Sequence, residues 1–232
     1  MIKIHPAEER GTTRTSWLKS RHSFSFGHYH NPAKMGFRTL RVINDDIVAG
    51  GGGFGEHPHR DMEIISYVVE GGLEHRDSLG NGGVIRPGDV QIMSAGTGIL
   101  HAEFNASKTD PVRFLQIWLP PAQTGLTPRY DQKRFPISDQ TGTLHRLVDP
   151  DGTDGALIIH QDARIFGGRF HGTEEASYVL DPSRHAWVQV VSGSIMCLDR
   201  RLSQGDGAAI SEVESISFSD GDAAEILLFD LA

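Results

Sequence analysis

The stretch GGGFGEHPHRDME, residues 51–63, places two histidines two positions apart, directly after a glycine-rich turn. Side chains at positions i and i+2 of a β-strand leave on the same face of the sheet. His57 and His59 therefore point the same way if this stretch is a strand. One His-x-His pair is weak evidence for a metal site, because histidines also occupy strand ends and half-exposed loops.

A second dyad occurs in GTGILHAEFN, residues 96–105, where His101 and Glu103 again stand two positions apart after a glycine turn. If both strands line one barrel interior, three imidazoles and one carboxylate converge. This set of donors suits a divalent first-row transition metal and leaves coordination positions open for chemistry. The two dyads together predict a metal site formed by His57, His59, His101 and Glu103.

The remainder of the chain favours an all-β fold. Short apolar segments, such as IISYVV at residues 64–69 and FLQIWL at residues 114–119, alternate with glycine and proline turns. The chain of 232 residues contains 27 glycines and 11 prolines, and 38% of its residues are hydrophobic. Short strands at such intervals are typical of an antiparallel sandwich or barrel, and the length allows one large or two small domains.

Two domains are predicted, residues 1–136 and residues 137–232, with a linker that starts at about residue 120. Residues 120–136 contain four prolines and little apolar periodicity, whereas short strands resume beyond them. Residues 1–21 are mostly polar, and we interpret them as an arm on the outside of the first barrel. We expect the second barrel to pack against the first, with EILLF at residues 225–229 helping to hold the halves together.

An internal repeat relates the two halves. The order strand, glycine turn, hairpin, Gly-Asp turn and strand begins at VVEG, residues 68–71, and again at VVSG, residues 190–193. The positions of the second half that correspond to the two dyads carry no histidine; they are Val179, Asp181, Phe218 and Asp220. The second half is therefore predicted to be a barrel without metal ligands.

Charge and cysteine content restrict the binding partners and the cellular location expected for the protein. The formal net charge is -8 and there is no lysine-rich tract, which disfavours direct nucleic-acid binding but not a protein partner. Cys197 is the single cysteine, so no intrachain disulfide forms. No stretch approaches the roughly 18 apolar residues of a membrane span, and the first residues lack the apolar run of a signal peptide. The expectation is a reducing, cytoplasmic location.

The residues quoted so far resemble the cupin superfamily, and within it the pirin family of two-cupin proteins. The first cupin motif is a glycine, five residues, His-x-His and a glutamate three or four positions later. Gly51, His57, His59 and Glu63 match this motif. The resemblance is strong over about residues 10–136 and rests on architecture alone beyond them.

The second cupin motif runs from a glycine to a Pro-x-Gly turn, and then to a histidine and an asparagine. Gly88, Gly96, His101 and Asn105 match it loosely, because Ser94 stands at the usual proline and the turn before His101 is longer. That departure is itself pirin-like, as is His-Ala-Glu in place of a lone histidine.

The resemblance implies two jelly-roll-like cupin barrels and a divalent metal, usually iron as Fe²⁺, held by His57, His59, His101 and Glu103. Pirins take their carboxylate from the position of Glu103, whereas other cupins often use that of Glu63. Two interpretations of Glu63 stay open. It orients a histidine N–H behind the metal, or it is a paired surface residue at the barrel mouth.

The resemblance further implies a metal-dependent dioxygenase that opens quercetin, or a related flavonol or aromatic compound, with O₂. Glu103 is the candidate general base for the substrate hydroxyl. Phe24, Phe26 and Phe54 are candidates to line a pocket for a flat ring, although core packing is favoured for at least two of them. The alternatives are a dioxygenase for another aromatic compound, and an iron-binding regulator that resembles transcription co-regulators and acts through protein partners.

Three further patterns carry local predictions. The alternation HSFSF at residues 22–26 has the period of a strand. His28 and His30 precede an Asn-Pro turn and are interpreted as loop residues. Asp45 and Asp46 are expected in a solvated turn rather than at a cation.

Overall fold

The chain folds almost entirely into β-strands. The structure is a computed structural model that describes residues 1–232. It contains twenty strands, two single-turn 3₁₀ helices and no α-helix, so the all-β prediction is confirmed. Neither helix is long and apolar enough to cross a membrane.

Twelve strands come from the first half of the chain. Their bounds are β1 (Ile2–His5), β2 (Gly11–Arg14), β3 (Leu18–His22), β4 (Val42–Val48), β5 (Gly53–His59), β6 (Glu63–Glu70), β7 (Leu73–Asp77), β8 (Gly82–Ile85), β9 (Asp89–Ser94), β10 (Ile99–Asn105), β11 (Val112–Leu119) and β12 (Arg129–Arg134). The remaining bounds are β13 (His145–Asp149), β14 (Leu157–Ile158), β15 (Ala163–Gly172), β16 (Ala176–Val179), β17 (His185–Cys197), β18 (Arg200–Ser203), β19 (Gly207–Ser211) and β20 (Ser215–Leu231). The 3₁₀ helices cover Ala7–Glu9 and Thr153–Gly155.

The first half is a sandwich of two sheets. A seven-stranded sheet has the order β12-β9-β6-β11-β4-β3-β2, and a four-stranded sheet has the order β5-β10-β7-β8. Leu73 and Ile85 of the smaller sheet pack with Val48, Val68 and Phe114 of the larger one in a buried cluster between the sheets. The eight strands β13–β20 of the second half form one nine-stranded sheet together with β1, and all its pairs are antiparallel except β13 with β14.

Strand alternation gives the seven-stranded sheet a second apolar face, turned away from the smaller sheet. On β11, Phe114 points between the two sheets, whereas Leu115 and Ile117 point to the other side. There they join Leu227 and Phe229 of β20 in a core of 23 buried residues drawn from both halves. The second barrel therefore packs directly on the first, and β20 supplies part of the interface.

Three predicted segments differ from the structure. Residues 129–134, predicted to be linker, form β12 and pair with β9 at the edge of the first barrel's larger sheet. Residues 2–5, predicted to lie on the first barrel, form β1 and pair with β19 of the second half. The strand predicted over residues 22–26 ends at His22, because the chain turns inward there and buries Phe24. The division into residues 1–136 and 137–232 otherwise stays our proposal.

Candidate metal centre

The four-stranded sheet brings the two sequence dyads together. In this sheet β10 lies between β5 and β7, with His101 opposite His57 on one side. On the other side Glu103 lies opposite His75. The register between β10 and β5 shifts after His101, so Glu103 lies opposite Phe54 rather than Gly55. A bulge of this kind re-aims side chains beside functional sites.

Three imidazoles form one tight group. The ligand atoms of His57, His59 and His101 all lie within 4.8 Å of one another, and Nε2 of His57 is 3.1 Å from Nε2 of His101. The Nδ1–H of His57 donates to the carbonyl oxygen of Gly55 at 2.8 Å, which leaves the Nε2 lone pair free. Donation of the second ring N–H to a backbone carbonyl is one of the usual ways in which a metal-binding histidine is oriented.

Two imidazoles of this group, those of His59 and His101, are held neutral by lowered pKa values. Burial lowers the pKa of His101 to about 2, with the neighbouring histidines His57, His59 and His75 adding to the effect. Burial and then the proximity of His57 lower the pKa of His59 to about 4. Nε2 of His59 is buried without a hydrogen-bond partner. Neutral, converging and partly unpartnered ring nitrogens fit a divalent transition metal.

A second group shares His101 with the first. The ligand atoms of His75, His101 and Glu103 also lie within 4.8 Å of one another, and all three side chains are buried. Nδ1 of His75 is 3.5 Å from Nδ1 of His101, and Nε2 of His75 is 3.4 Å from a carboxylate oxygen of Asp77. The four predicted ligands thus fall into two overlapping groups rather than one.

Sequence reasoning missed His75. The residue stands in LEHRD, where His75 and Asp77 are two positions apart, the same spacing that identified the other dyads. That spacing was the available signal. The contact itself depends on the pairing of β7 with β10, a long-range feature that local patterns do not contain.

Glu103 is held by hydrogen bonds from the larger sheet. Oγ of Ser66 donates to Oε1 of Glu103 at 3.1 Å, and Nε2 of Gln116 donates to Oε2 at 2.6 Å. The carboxylate is 2% exposed. Its orientation is therefore fixed by β6 and β11, strands on the opposite side of the sandwich from β10.

A cavity of about 420 Å³ opens next to this group. Its walls combine aromatic side chains, glycines of β5 and polar side chains: Trp17, Phe26, Asn44, Asp46, Gly53, Phe54, Gly55, His57, His59, Glu103, Gln116 and Trp118. Of the three predicted pocket residues, Phe26 and Phe54 line the cavity. Phe24 instead packs in the core with its ring centre 4.9 Å from that of Trp187, and Phe54 also packs against the buried cluster between the two sheets.

Glu63 has neither of the roles considered for it. Its side chain is 1% exposed, and Oε2 accepts hydrogen bonds from Oγ of Ser94 at 2.9 Å and from the backbone N–H of His160 at 3.2 Å. His160 belongs to the second half, so Glu63 joins the two barrels. It is neither a surface residue nor a partner of the clustered histidines.

The prediction that Asp45 and Asp46 lie in a solvated turn is also wrong. Both are buried in β4 rather than solvated in a turn. Asp45 accepts hydrogen bonds from Arg113 at 2.9 and 3.1 Å and from Arg10 at 3.3 Å. Asp46 lines the cavity. The predicted loop residue His28 is exposed, as is His30.

Comparison with known proteins agrees with this architecture over the whole chain. A family model described as Pirin matches residues 4–119, and one described as the quercetinase C-terminal cupin domain matches residues 147–231. A protein of Escherichia coli K12 named quercetin 2,3-dioxygenase is 44% identical, and the alignment covers 100% of this chain and 99% of that protein. A Pirin-like protein of Caulobacter vibrioides is 40% identical over 100% of both chains.

A solved structure is equally similar. The crystal structure of the bacterial pirin YhhW of Escherichia coli in complex with nickel(II) superimposes with a TM-score of 0.94 at 44% identity, covering 100% of this chain and 99% of that one. Both halves of the present chain are cupin domains. Family models, full-length relatives and fold agree that the chain belongs to the pirin family.

Proposed function

We propose that this chain is a metal-dependent dioxygenase of the pirin type that opens quercetin, or a related flavonol or aromatic compound, with O₂. The observation that carries the proposal is the position of the three-histidine group at an aromatic-lined cavity. Relatives named quercetin 2,3-dioxygenase support the substrate class. The lone, buried Cys197 is consistent with a reducing, cytoplasmic location.

We assign the metal to His57, His59, His101 and Glu103, with Fe²⁺ as the proposed ion. Three imidazoles and one carboxylate suit iron, and equally the nickel found in the relative. The bound ion would supply Lewis-acid chemistry, acidify a substrate hydroxyl and offer positions for the two reactants. His75 is an alternative metal ligand, since its ring lies in a second group with His101 and Glu103.

The protein's own residues prepare the substrate for that chemistry. Trp17, Phe26, Phe54 and Trp118 provide flat apolar surfaces against which an aromatic ring system stacks. Glu103 is the proposed acceptor of the hydroxyl proton, and the hydrogen bonds from the larger sheet hold its oxygens in place. Burial of the aromatic rings of a ligand in this cavity also displaces water from the reacting atoms.

The test is reconstitution with Fe²⁺ without oxygen, followed by addition of quercetin and air. Loss of the flavonol absorbance and release of carbon monoxide are the expected results. His101→Ala is expected to lower metal content and abolish turnover, whereas His30→Ala, at an exposed loop histidine, is expected to change neither. Metal analysis of both variants accompanies the assay.

Stoichiometric metal binding without turnover would contradict the flavonol assignment. It would favour a dioxygenase for another aromatic compound, or an iron-binding regulator that works through protein partners. A wild-type protein that binds no divalent metal would contradict both the assigned ligands and the reaction class.

A further inference from the structure

Asp46 lies in the cavity wall with one carboxylate oxygen unused. The residue is on β4, two positions from Asn44, and its side chain is 4% exposed. Both residues line the cavity. Oδ1 of Asp46 is buried and has no hydrogen-bond partner in the protein. Buried polar atoms without partners are rare, because each costs free energy comparable to a lost hydrogen bond.

The other side-chain oxygens of the cavity wall are already occupied. Oδ1 of Asn44 accepts from Nδ1 of His22 at 2.7 Å, and Oε1 of Gln116 lies 3.1 Å from Oγ of Ser66, whose single proton it shares with Oε1 of Glu103. Both oxygens of Glu103 accept hydrogen bonds as well. The carboxyl group of Asp46 is therefore the one in the cavity wall that remains for a molecule inside the cavity.

The electrostatic surroundings of Asp46 suit a hydroxyl rather than a cation. The pKa of Asp46 is raised to about 7, chiefly by burial; a hydrogen bond from Ser20 opposes the increase, and the carboxylates of Asp45 and Glu103 add to it. Near neutral pH the group is thus available as a donor and as an acceptor. A hydroxyl pairs with either form.

We propose that Asp46 binds a ring hydroxyl of the substrate, so that the cavity selects hydroxyl-bearing aromatic compounds over equally flat compounds without that hydroxyl. The inference rests on the proposed function, since it concerns the substrate of the same metal centre. The aromatic walls contribute affinity for any flat ring, whereas Asp46 contributes discrimination. A site with a buried polar group rejects an analogue that leaves this group unpaired.

The test measures binding rather than turnover, with nickel-loaded protein under anaerobic conditions. Quenching of tryptophan fluorescence measures the affinity for three compounds. They are quercetin, a flavonol without hydroxyls on its pendant ring, and a flavone without the 3-hydroxyl. The wild type is expected to bind one of the two analogues at least about tenfold more weakly than quercetin. Asp46→Leu is expected to bind quercetin as weakly as that analogue and to lose the discrimination between them.

Two further variants complete the design. Asp46→Asn keeps a hydrogen-bonding oxygen at the same place and is expected to restore part of the discrimination. Asp131→Asn removes an exposed carboxyl and is expected to behave as the wild type. Metal content, measured in every variant, is expected to stay unchanged.

Equal affinity of the wild type for all three compounds would overturn the role of Asp46, and this measurement needs no variant. Unchanged affinity ratios in Asp46→Leu would overturn it too. Metal-loaded wild-type protein that binds none of the three compounds would overturn the proposed function, and the role of Asp46 with it.

Discussion

Two consecutive carboxylates, Asp45 and Asp46, take opposite roles because neighbouring side chains of a strand face opposite sides of its sheet. Asp45 points to the second barrel and is neutralised by Arg113 and Arg10. Asp46 points into the cavity, where no cationic side chain pairs with it. Two neighbouring acidic residues in a sequence look like a solvated turn. Their different roles can be recognised only when both faces of the strand are known to be covered by other parts of the protein.

The raised pKa of Asp46 predicts a pH-dependent stability in the metal-free protein. A carboxyl with a higher pKa in the folded state than in the unfolded state stabilises the fold below about pH 4, and this contribution is lost as the pH rises through about 7. Asp46→Asn removes the titration. We expect the variant to gain stability over the wild type between pH 4 and pH 8, approaching about 4 kcal/mol.

Urea unfolding at a series of pH values measures this difference. Asp131→Asn, at an exposed position, is the matched control. Its free energy of unfolding is expected to differ from that of the wild type by the same amount at every pH. A difference between Asp46→Asn and the wild type that does not change with pH would contradict the prediction.

At the scale of the strands, local patterns predicted the parts of the site that depend on alternation within one strand. The dyads of β5 and β10 follow directly from the two-residue period. His75 could not be placed, since its neighbours are set by the pairing of β7 with β10. β12 was missed for a different reason. It is a half-exposed edge strand of sequence RYDQKR, whose polar composition lacks the apolar signal of a strand.

β1 is an edge strand that belongs to the sheet of the second barrel. Ile2 and Ile4 pack against the interior of that barrel, and β1 pairs with β19 along its whole length. Deletion of residues 1–5 is expected to cost roughly 2 kcal/mol, from the loss of two partly buried isoleucines. The expected fall in Tm is about 5 °C.

Calorimetry measures the change in Tm, and metal analysis provides the control. Metal content is expected to stay at the wild-type level, because β1 has no contact with the histidine groups. Loss of metal binding on deletion of residues 1–5 would show that β1 belongs functionally to the first barrel, as the polar character of residues 1–21 had suggested.

For the whole molecule, the organising feature is the apolar core shared by the two barrels. Polar contacts cross the same interface: Arg113 donates to the carbonyl oxygen of Val191 at 2.8 Å, and Tyr67 donates to Glu225. Two barrels were predictable from the repeated order of strands and turns. The extent of their contact could not be predicted, because the sequence does not distinguish apolar residues on the outer face of a barrel strand from those on its inner face.

The shared core predicts that a break in the connection does not separate the halves. A protease site inserted between Thr124 and Gly125, both exposed, allows the chain to be cut in the folded protein. The two fragments are expected to elute together in size-exclusion chromatography and to unfold in one transition. Separate elution of two folded fragments would contradict the interface described here.

The shared core also bears on how the protein is made. The apolar outer face formed by β4, β6 and β11 is complete in the sequence by Leu119, yet part of its cover comes from β20, the last strand. A nascent first barrel therefore carries an uncovered hydrophobic sheet while the second half is still being translated. Such surfaces are the ones that aggregate or recruit chaperones. We therefore expect the chain to reach its native state only after it has left the ribosome.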